Sequence, residues 1–335
     1  MLVGRQSWRF NMKPVILSSA SVGGPFEAQS PLSGDFDIFY DDLWLGQDSY
    51  EKAEVKLLEH ACKKALEKAG LQPDDINFLL SGDLDNQITS SSFAARGLRI
   101  PYLGLFGACS TSMEGLAIGS RLMDSGGANY VIAATASHNA AAEKQFRYPT
   151  EYGAQKPPTA QWTVTGAGAV VLGKEGDGPR VVSATIGKVV DMGISDPFNM
   201  GAAMAPAAVD TIETHLNEMN LDSDYYDLIA TGDLGFTGYN IAKELFAKKG
   251  IKLKDNLYTD CGILIYGNNP RVFSGASGCA CSAVVTYGHF LNRMRRGELK
   301  RILIAATGAL MSPMSYQQKE TIPCIAHAVS IEHIQ

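Results

Sequence analysis

An internal duplication is the feature that most constrains how this 335-residue chain can fold. The segment LEKAGLQPDDINFLLSGDL (66–84) aligns without a gap on LNEMNLDSDYYDLIATGDL (216–234), a shift of 150 (216 − 66). ACSTSMEGLAIGSRLMDSGGANYVIAAT (108–135) aligns likewise on ACSAVVTYGHFLNRMRRGELKRILIAAT (280–307), a shift of 172 (280 − 108). The larger second shift predicts an insertion in the second copy, within 235–274. A repeat of this length indicates two similar fold units rather than a solenoid.

Each copy has the pattern helix, strand, helix, strand, strand. The last strands of the two copies, AGAVVL (167–172) and AHAVSI (326–331), align less closely than the other segments. The strands are apolar on both faces, as expected for central strands covered by helices. Gly70 ends the first amphipathic helix. We therefore predict an α/β protein of two pseudo-symmetric βαβαβαββ halves, 1–175 and 176–335, in a layered α/β/α/β/α arrangement.

Composition and charge exclude several classes of protein. The chain is 45% hydrophobic and 19% charged, which is ordinary for a globular protein. Its formal charge of −6 argues against nucleic acid as a partner and against purely electrostatic adhesion to anionic lipid. The longest apolar runs are too short for a transmembrane helix, so we expect membrane attachment to come through a partner protein. PVILSSASVGG, after three basic residues, is expected to be a β-strand rather than a signal peptide.

Six cysteines are present, and no disulfide framework is expected in a chain of this size. We interpret them as free thiols in a reducing compartment. Cys279-Ala-Cys281 has no second pair at zinc-ligand spacing, which favours small packing residues at a helix start over a metal site.

The motifs of the duplicated chain resemble the thiolase fold, which includes thiolases and ketoacyl-ACP synthases. GACSTSMEG looks like the nucleophile motif of that fold, with Cys109 at the nucleophile position, and GAGAVVLG (166–173) and GASG (275–278) also look like its segments. This resemblance implies a homodimer. It also implies an alternative function, that of an acyltransferase or ketoacyl synthase using Cys109 as its nucleophile.

Seven longer segments resemble one branch of this fold, the stage V sporulation protein AD family of spore-forming bacteria. They are GPFEAQSPLSGDFD, GDLDNQ, FGACSTSME, SHNAAAEKQFRYPTEYGAQKP, MGAAMAPAAVDTI, SGASGCACSAVVTYGH and QQKETIPCIAHAV. The resemblance implies non-catalytic binding of dipicolinic acid or its calcium chelate, with no cofactor. It further implies work with other SpoVA proteins, including membrane subunits, at the inner membrane of the developing and dormant spore, during sporulation and germination.

Cys109 combines one feature of a nucleophile with the absence of others. A thiol at a helix N-terminus is favoured as thiolate, and the same geometry binds other anions. Condensing enzymes of this fold also have proton-transferring histidines in their second half. Here Thr231-Gly232-Asp233 follows the corresponding strand, RVFS precedes GASG, and CIAHAV replaces a glycine-rich loop. We therefore predict a pocket residue with a neutral thiol, since a thiolate would repel a dianionic ligand.

A dipicolinate site needs donors for two carboxylates and a flat surface for the ring. His138 follows the strand YVIAATAS, and His327 is at the place where the equivalent loop of the second half should return. Strand ends in such sheets face the ligand crevice, although a structural role is the alternative for both. The loop after His138 supplies further candidates, Phe146, Arg147, Tyr148, Tyr152 and Lys156. The alternative, which this fold favours, is that the loop packs at a dimer interface, and both roles can hold together. The predicted ligand-binding residues are Cys109, Ser110, His138, Arg147, Asp233, Gly278 and His327.

The remaining polar candidates each have a structural role as the alternative to a functional one. Asp83 and Asp233, in the paired GDL turns, are candidate calcium ligands, whereas capping of the following helix is the structural alternative. His60 and His215 are expected at exposed positions of amphipathic helices, and His289 is expected in the core.

Overall fold

The computed structural model describes residues 1–146, 156–253 and 256–333, without the side chain of Phe146. The strands of the described residues are β1 (Leu2–Val3), β2 (Ser7–Arg9), β3 (Val15–Gly23), β4 (Ile38–Phe39), β5 (Phe78–Gly82), β6 (Tyr102–Gly104), β7 (Tyr130–Ser137), β8 (Trp162–Thr163), β9 (Gly166–Gly173), β10 (Arg180–Ile186), β11 (Leu228–Thr231), β12 (Tyr258–Asp260), β13 (Ala276–Ser277), β14 (Arg301–Ala309) and β15 (Cys324–Glu332).

The helices vary in length from one turn to more than five. They are α1 (Tyr50–Ala69), α2 (Thr89–Leu98), α3 (Thr111–Asp124), α4 (Asn139–Phe146), α5 (Met200–Met219), α6 (Gly235–Lys248), α7 (Cys261–Leu264), α8 (Cys279–Val284), α9 (Leu291–Arg295) and α10 (Pro313–Gln317). A π-helical turn, Val285–Phe290, joins α8 to α9. Gly70 ends α1 in the left-handed conformation (φ 67°), as its position after the apolar stripe predicts.

The main sheet shows the duplication directly. Its first half has the order β3-β9-β7-β5-β6, and its second half has the mirrored order β10-β15-β14-β11-β12. Each half contains one long strand that is antiparallel to both of its neighbours. In the first half this strand is β9, between β3 and β7, and in the second half it is β15, between β10 and β14. The halves meet where Val15 pairs with Arg180.

Helices fill three layers around these strands. α1 packs on β3, β7 and β9, and α5 packs on β10, β14 and β15, so each covers an outer face. α3 contacts strands of both halves, and α8 lies beside it against β7 and β9. The buried apolar residues form one cluster around α3 and α8 and one beneath each outer helix, since both faces of each half-sheet are covered. This is the predicted layered α/β/α/β/α arrangement.

The second half contains elements without a counterpart in the first. α7 and β13 lie between β12 and α8, whereas the corresponding connection from β6 to α3 is a short turn. Most of the extra residues therefore fall within 261–277, which overlaps the C-terminal side of the range 235–274 expected from the repeat. β13 pairs with β8, which places this insertion beside the segment that follows α4.

Candidate functional site

Cys109 lies in a tight turn between the edge strand β6 and helix α3. The preceding Ala108 has a φ of +48°, a conformation that costs a non-glycine residue roughly 1–2 kcal/mol. Gly308 on β14 packs against this turn so closely that a Cβ atom there would stand 2.2 Å from the carbonyl oxygen of Gly107. A strand of the second half therefore fixes the backbone that presents Cys109.

Hydroxyl groups fasten the same turn. Ser110 Oγ donates to Gly107 O (2.6 Å), and Thr111 Oγ1 donates to Ala108 O (2.7 Å) while accepting from Gly107 N (3.2 Å). Ser110 is fully buried. Its role as a ligand-binding residue gains no support from this geometry, because its hydroxyl is already used by the backbone.

The Cys109 thiol lies beside the carboxyl group of Asp233, in the turn that follows β11. Thr307 Oγ1 donates to Asp233 Oδ1 (2.6 Å), and the Gly278 amide donates to Oδ2 (3.1 Å). Asp233 is 1% exposed and Cys109 is 7% exposed. The structure thus brings together three of the predicted site residues, Cys109, Asp233 and Gly278.

The electrostatics of this contact favour a neutral thiol. Burial raises the pKa of Cys109 well above its usual range, and the negative charge of Asp233 adds to the rise. Burial raises the pKa of Asp233 to about 7, although its hydrogen bonds from Thr307 and Cys109 act in the opposite direction. Burial and the charge of Asp233 both favour the neutral form of the Cys109 thiol.

Gly278 is required by the close approach of the backbone. Its φ is +105°, and a Cβ atom there would stand 2.7 Å from Ser137 Oγ. Its amide points at both the thiol and the carboxyl group, where it lowers the pKa of Cys109 slightly against the effect of burial. The sequence motif GASG therefore provides one backbone donor to the site.

A second carboxyl group, missed in the sequence, supports Asp233. Asp260, at the end of β12, accepts hydrogen bonds from Thr231 Oγ1 (2.7 Å), Leu234 N (2.9 Å) and Gly235 N (3.0 Å). Burial raises the pKa of Asp260 to about 6. Its position at a strand end next to β11 was the only signal in the sequence that could have indicated this role.

Asp83 occupies the equivalent turn of the first half but has different partners. Its Oδ1 accepts from Asp85 N (2.7 Å), and its Oδ2 accepts from Ser91 N (2.6 Å) in the first turn of α2. This is the helix-capping role given above as the structural alternative. Asp233 makes no such contact with α6.

A small cavity adjoins Cys109, and we call it the thiol cavity. It has a volume of about 30 Å³, which holds only one or two water molecules. Its walls are mostly apolar side chains, including Leu84, Ala142, Met200 and Met311. These four residues were not predicted as site residues, because an apolar side chain in the sequence does not show whether it lines a cavity or packs in the core.

A larger cavity, which we call the mouth cavity, shares Leu84 and Met311 with the thiol cavity. Its volume is about 270 Å³. It is lined by polar uncharged side chains, one carboxyl group and one exposed ring, among them Asp85, Asn86, Gln87, Phe106, Gln145 and Ser312. No Lys, Arg or His of the described residues lines either cavity.

The two candidate histidines lie apart from both cavities. His138 is buried, with Nε2 2.9 Å from Leu43 O and its ring stacked on Tyr50. Burial lowers the pKa of His138. His327 on β15 accepts from Gly187 N at Nδ1 (3.3 Å), and burial lowers its pKa to about 4. Their prediction as ligand-binding residues gains no support from this placement.

Most of the predicted donor loop lies outside the described residues. Arg147, Tyr148 and Tyr152 are in that part of the chain. Lys156 is described, and its Nζ pairs with Glu143 (3.2 Å) and lies over the ring of Trp162.

Three further histidines lie outside both cavities. His215 is fully buried between Thr185 Oγ1 (2.8 Å) and the Tyr226 hydroxyl (2.7 Å), so its expected exposed position is wrong. The reason is that α5 is apolar around most of its surface and is covered on more than one side. His60 is half-buried against Tyr40. His289 is also half-buried rather than in the core, because it pairs with Asp35 (2.6 Å).

The six cysteines are free thiols, as predicted. Cys279 Sγ donates to Ala108 O (3.0 Å), and Cys281 Sγ donates to Gly232 O (3.4 Å). Both residues therefore pack at the start of α8, in agreement with the packing interpretation.

None of the helices in the described residues is sufficiently long and apolar to span a bilayer.

Comparison with known proteins finds a matching family and, separately, solved structures with a similar fold. The model of the family described as "Stage V sporulation protein AD (SpoVAD)" matches residues 4–332. The stage V sporulation protein AD of Bacillus subtilis (strain 168) is 52% identical over 331 residues, covering 99% of this chain and 98% of that protein.

Solved structures that superpose on the chain include a ketoacyl-CoA thiolase and an oxoacyl-[acyl-carrier-protein] synthase. Human mitochondrial 3-ketoacyl-CoA thiolase, in complex with CoA, superposes with a TM-score of 0.60 at 13% identity, covering 98% of this chain and 100% of that one. The 3-oxoacyl-[acyl-carrier-protein] synthase III of Aquifex aeolicus VF5 superposes with a TM-score of 0.58 at 15% identity, covering 95% and 99%. At these identities the likeness establishes a thiolase-like fold and nothing about activity.

Proposed function

Because the chain belongs to the stage V sporulation protein AD family, and is thus a sporulation protein with a thiolase-like fold, we propose that it binds dipicolinic acid without catalysing a reaction. It serves the SpoVA machinery, which moves dipicolinate into the developing spore and out on germination. It acts at the inner spore membrane by docking on membrane subunits of that machinery.

The contact between Cys109 and Asp233 is the observation that carries the non-catalytic part of this proposal. Covalent acyl transfer needs a thiolate and a group that moves protons. The partner of Cys109 is a carboxyl group, and a thiolate beside a carboxylate is disfavoured by like charge. The described imidazole groups have other partners or lie elsewhere, as shown by His138 and His327.

The mouth cavity is the part of the site with room for a flat dicarboxylate. Phe106, 47% exposed, offers a ring for stacking, and the side chains of Asn86, Gln87, Gln145 and Ser312 include amide and hydroxyl donors. The thiol cavity behind Leu84 and Met311 is too small for the whole ligand.

The charge of the cavity lining favours the calcium chelate over the free dianion. Asp85 lines the mouth cavity, and the described lining contains no cationic side chain that would offset two ligand carboxylates. A chelate brings its own positive charge, whereas a free dianion would be repelled. We therefore infer that the calcium chelate is bound more tightly than the free acid.

A homodimer is part of the proposal. β6 is the last strand of the first half-sheet, so one of its edges is unpaired. Leu103 on this strand is 41% exposed and lies near the exposed Phe106. An exposed apolar edge strand is a template for pairing with another strand, and a second copy would extend the sheet and cover these side chains.

The alternative function is acyl transfer with Cys109 as nucleophile. One observation favours it: burial raises the pKa of Asp233 to about 7, so near neutral pH this carboxyl group could accept the thiol proton. The enzymes named above share the fold, and their names refer to acyl-group chemistry.

Calorimetry separates the two functions. Purified full-length chain is titrated with dipicolinate, with and without calcium, and in parallel with acetyl-CoA and malonyl-CoA. Saturable dipicolinate binding, tighter with calcium and without any response to the CoA esters, supports the binding protein. Binding of a CoA ester followed by acylation of Cys109 in mass spectrometry would establish the enzyme instead. Met192→Ala, at a surface residue 65% exposed in the second half, is the matched control for Phe106→Ala, which should weaken dipicolinate binding.

A further inference from the structure

Three carboxyl groups meet in the first half of the molecule, away from Cys109 and Asp233. Glu54 comes from the second turn of α1, and Asp83 and Asp85 come from the loop that directly follows β5. All three are buried, with 1%, 0% and 2% of their surface exposed. One oxygen of each lies within 4.8 Å of the other two.

One oxygen of this cluster has no protein partner. Glu54 accepts a hydrogen bond from the backbone of His138, but its Oε1, which is buried, has no hydrogen-bond partner among the described residues. By contrast, both oxygens of Asp85 are engaged, Oδ2 by Ser90 Oγ (2.5 Å) and Oδ1 by Gln145 Nε2 (2.7 Å). A buried carboxylate oxygen left without a donor is costly unless a ligand satisfies it.

No basic side chain of the described residues neutralises the cluster. Lys144 is near Asp85, but it is 63% exposed and pairs with Glu51 at 2.7 Å. Three carboxylates buried together without a counter-charge repel one another strongly. Protonation or a bound cation would relieve this repulsion, and the buried, unpartnered oxygen Oε1 of Glu54 is the geometric observation that favours a ligand.

We propose that Glu54, Asp83 and Asp85 form a binding site for a resident divalent cation of the hard, oxygen-preferring class, such as calcium. The ligand set is all oxygen, which suits calcium, magnesium or manganese rather than zinc or copper. Oxygens on opposite sides of a calcium ion lie about 4.6–5.2 Å apart, so the spacing of the cluster is compatible with one ion at its centre.

The ion has a path to the cluster. Asp85 lines the mouth cavity, which has a volume of about 270 Å³ and opens beside Gln145. Water molecules entering through this cavity would complete the coordination shell, as is usual for calcium and magnesium. The buried oxygen Oε1 of Gln145 has no partner among the described residues either, and the Nε2 of the same amide donates to Asp85 Oδ1 (2.7 Å).

The site differs from the proposed dipicolinate function in what it needs. A resident ion would link α1 to the β5–α2 loop and would bind whether or not dipicolinate is present. The test therefore uses metal chlorides alone. Its failure would leave the dipicolinate proposal untouched, whereas a resident ion at Asp85 would offset part of a free dianion's charge and so reduce the preference for the chelate.

The experiment is a titration of the full-length chain, freed of metal by a chelator, with calcium, magnesium or manganese chloride. Calorimetry should detect saturable binding of one ion per chain for at least one of them, and the thermal midpoint should rise with its concentration. In Glu54→Gln, which keeps the side-chain shape and removes one charge, the dissociation constant should increase at least about tenfold.

Glu27→Gln is the matched control. Glu27 is also a fully buried glutamate with one oxygen, Oε2, that lacks a hydrogen-bond partner among the described residues, but it is not part of a carboxylate cluster. Its substitution should leave cation binding unchanged. Asp85→Asn serves as a second variant if Glu54→Gln does not fold, as judged by circular dichroism. Absence of saturable binding for all three cations, or equal affinity in Glu54→Gln and Glu27→Gln, would overturn the proposal.

Discussion

The hydroxyl groups of Ser112 and Ser282 lie 2.7 Å apart, where the paired helices α3 and α8 of the two halves meet. Both residues are about 1% exposed. Ser282 Oγ also lies 3.4 Å from the carbonyl oxygen of Cys109, so this contact links the packing of the central helices to the turn that carries the thiol.

Removing both members of this pair should cost less than the sum of the costs of removing each one alone. Ser282→Ala leaves the Ser112 hydroxyl buried without its side-chain partner, which should lower the free energy of unfolding by about 1–3 kcal/mol. The double variant Ser112→Ala/Ser282→Ala should be less destabilised than the sum of the single variants. Urea denaturation measures all three, and strictly additive losses would show that the hydroxyls do not act as a pair.

Alkylation kinetics should report the protonation state of Cys109. Since burial and Asp233 raise its pKa, iodoacetamide should modify it slowly at pH 7, and dipicolinate should slow the reaction further. Asp233→Asn removes the carboxylate charge and should accelerate alkylation several-fold at the same pH. Mass spectrometry identifies the modified cysteine, and Glu27→Gln is the control.

Fast alkylation of the unsubstituted chain would contradict the neutral thiol, if the alkylation rate also begins to rise at a pH well below the ordinary thiol pKa of about 8.5. Cys109 is 7% exposed while the other five cysteines are fully buried, so the reaction of the folded protein should be confined to this residue.

Gly308→Ala should disrupt the turn that presents Cys109. The added Cβ would stand 2.2 Å from Gly107 O, which is main-chain and cannot rotate away. We expect a loss of about 2 kcal/mol or more in the free energy of unfolding. Gly34→Ala is the control, because no atom lies within 4 Å of the Cβ position there. Equal thermal midpoints for the two variants would mean that the turn relaxes freely.

The pH dependence of stability should be shallower in Glu27→Gln than in the unsubstituted chain. Burial raises the pKa of Glu27 to about 7 from an ordinary value of 4.5. Between these values the folded state binds more protons than the unfolded state, so this group makes stability fall as pH rises through that window. The full effect is roughly 3 kcal/mol.

Other buried carboxyl groups, such as Asp260, act with the same sign, so only the difference between the two proteins isolates Glu27. Unfolding free energies at pH 5 and pH 7.5 provide this difference. Glu27→Gln retains an oxygen that can accept from Tyr266 and from Thr165 N, as the native carboxylate does. A pH profile identical to that of the unsubstituted chain would show that Glu27 ionises normally.

The proposed dimer should depend on β6. Leu103→Asp places a charge on the exposed edge strand, where pairing with a second copy would bury it. Light scattering after size-exclusion chromatography should report a dimer for the unsubstituted chain and a monomer for this variant. Met192→Asp, at a residue 65% exposed in the second half, should leave the dimer intact. A monomeric unsubstituted chain would remove the edge-strand dimer from the proposal.

The sequence by itself determined the fold and the place of the thiol. The duplicated segments predicted strands that occupy equivalent positions, β5 with β11 and β7 with β14, because strand and helix patterns are local properties of the chain. Gly70 and the AlaCysSer turn were readable for the same reason. The pairing of Cys109 with Asp233 was anticipated only as two separate candidates, since their contact spans 124 positions of the sequence (233 − 109).

Only the tertiary structure decided which polar groups share a site. His138 follows β7 as a ligand-binding residue would, and His327 lies within β15, yet their rings contact backbone partners at Leu43 and Gly187. The direction of a side chain at a strand end depends on packing from distant elements, which no local pattern records. Glu54 is the clearest case, because its position on α1 predicts an ordinary charged residue on a solvent-exposed helix face. It is a candidate metal ligand only because the fold brings Asp83 and Asp85 close to it.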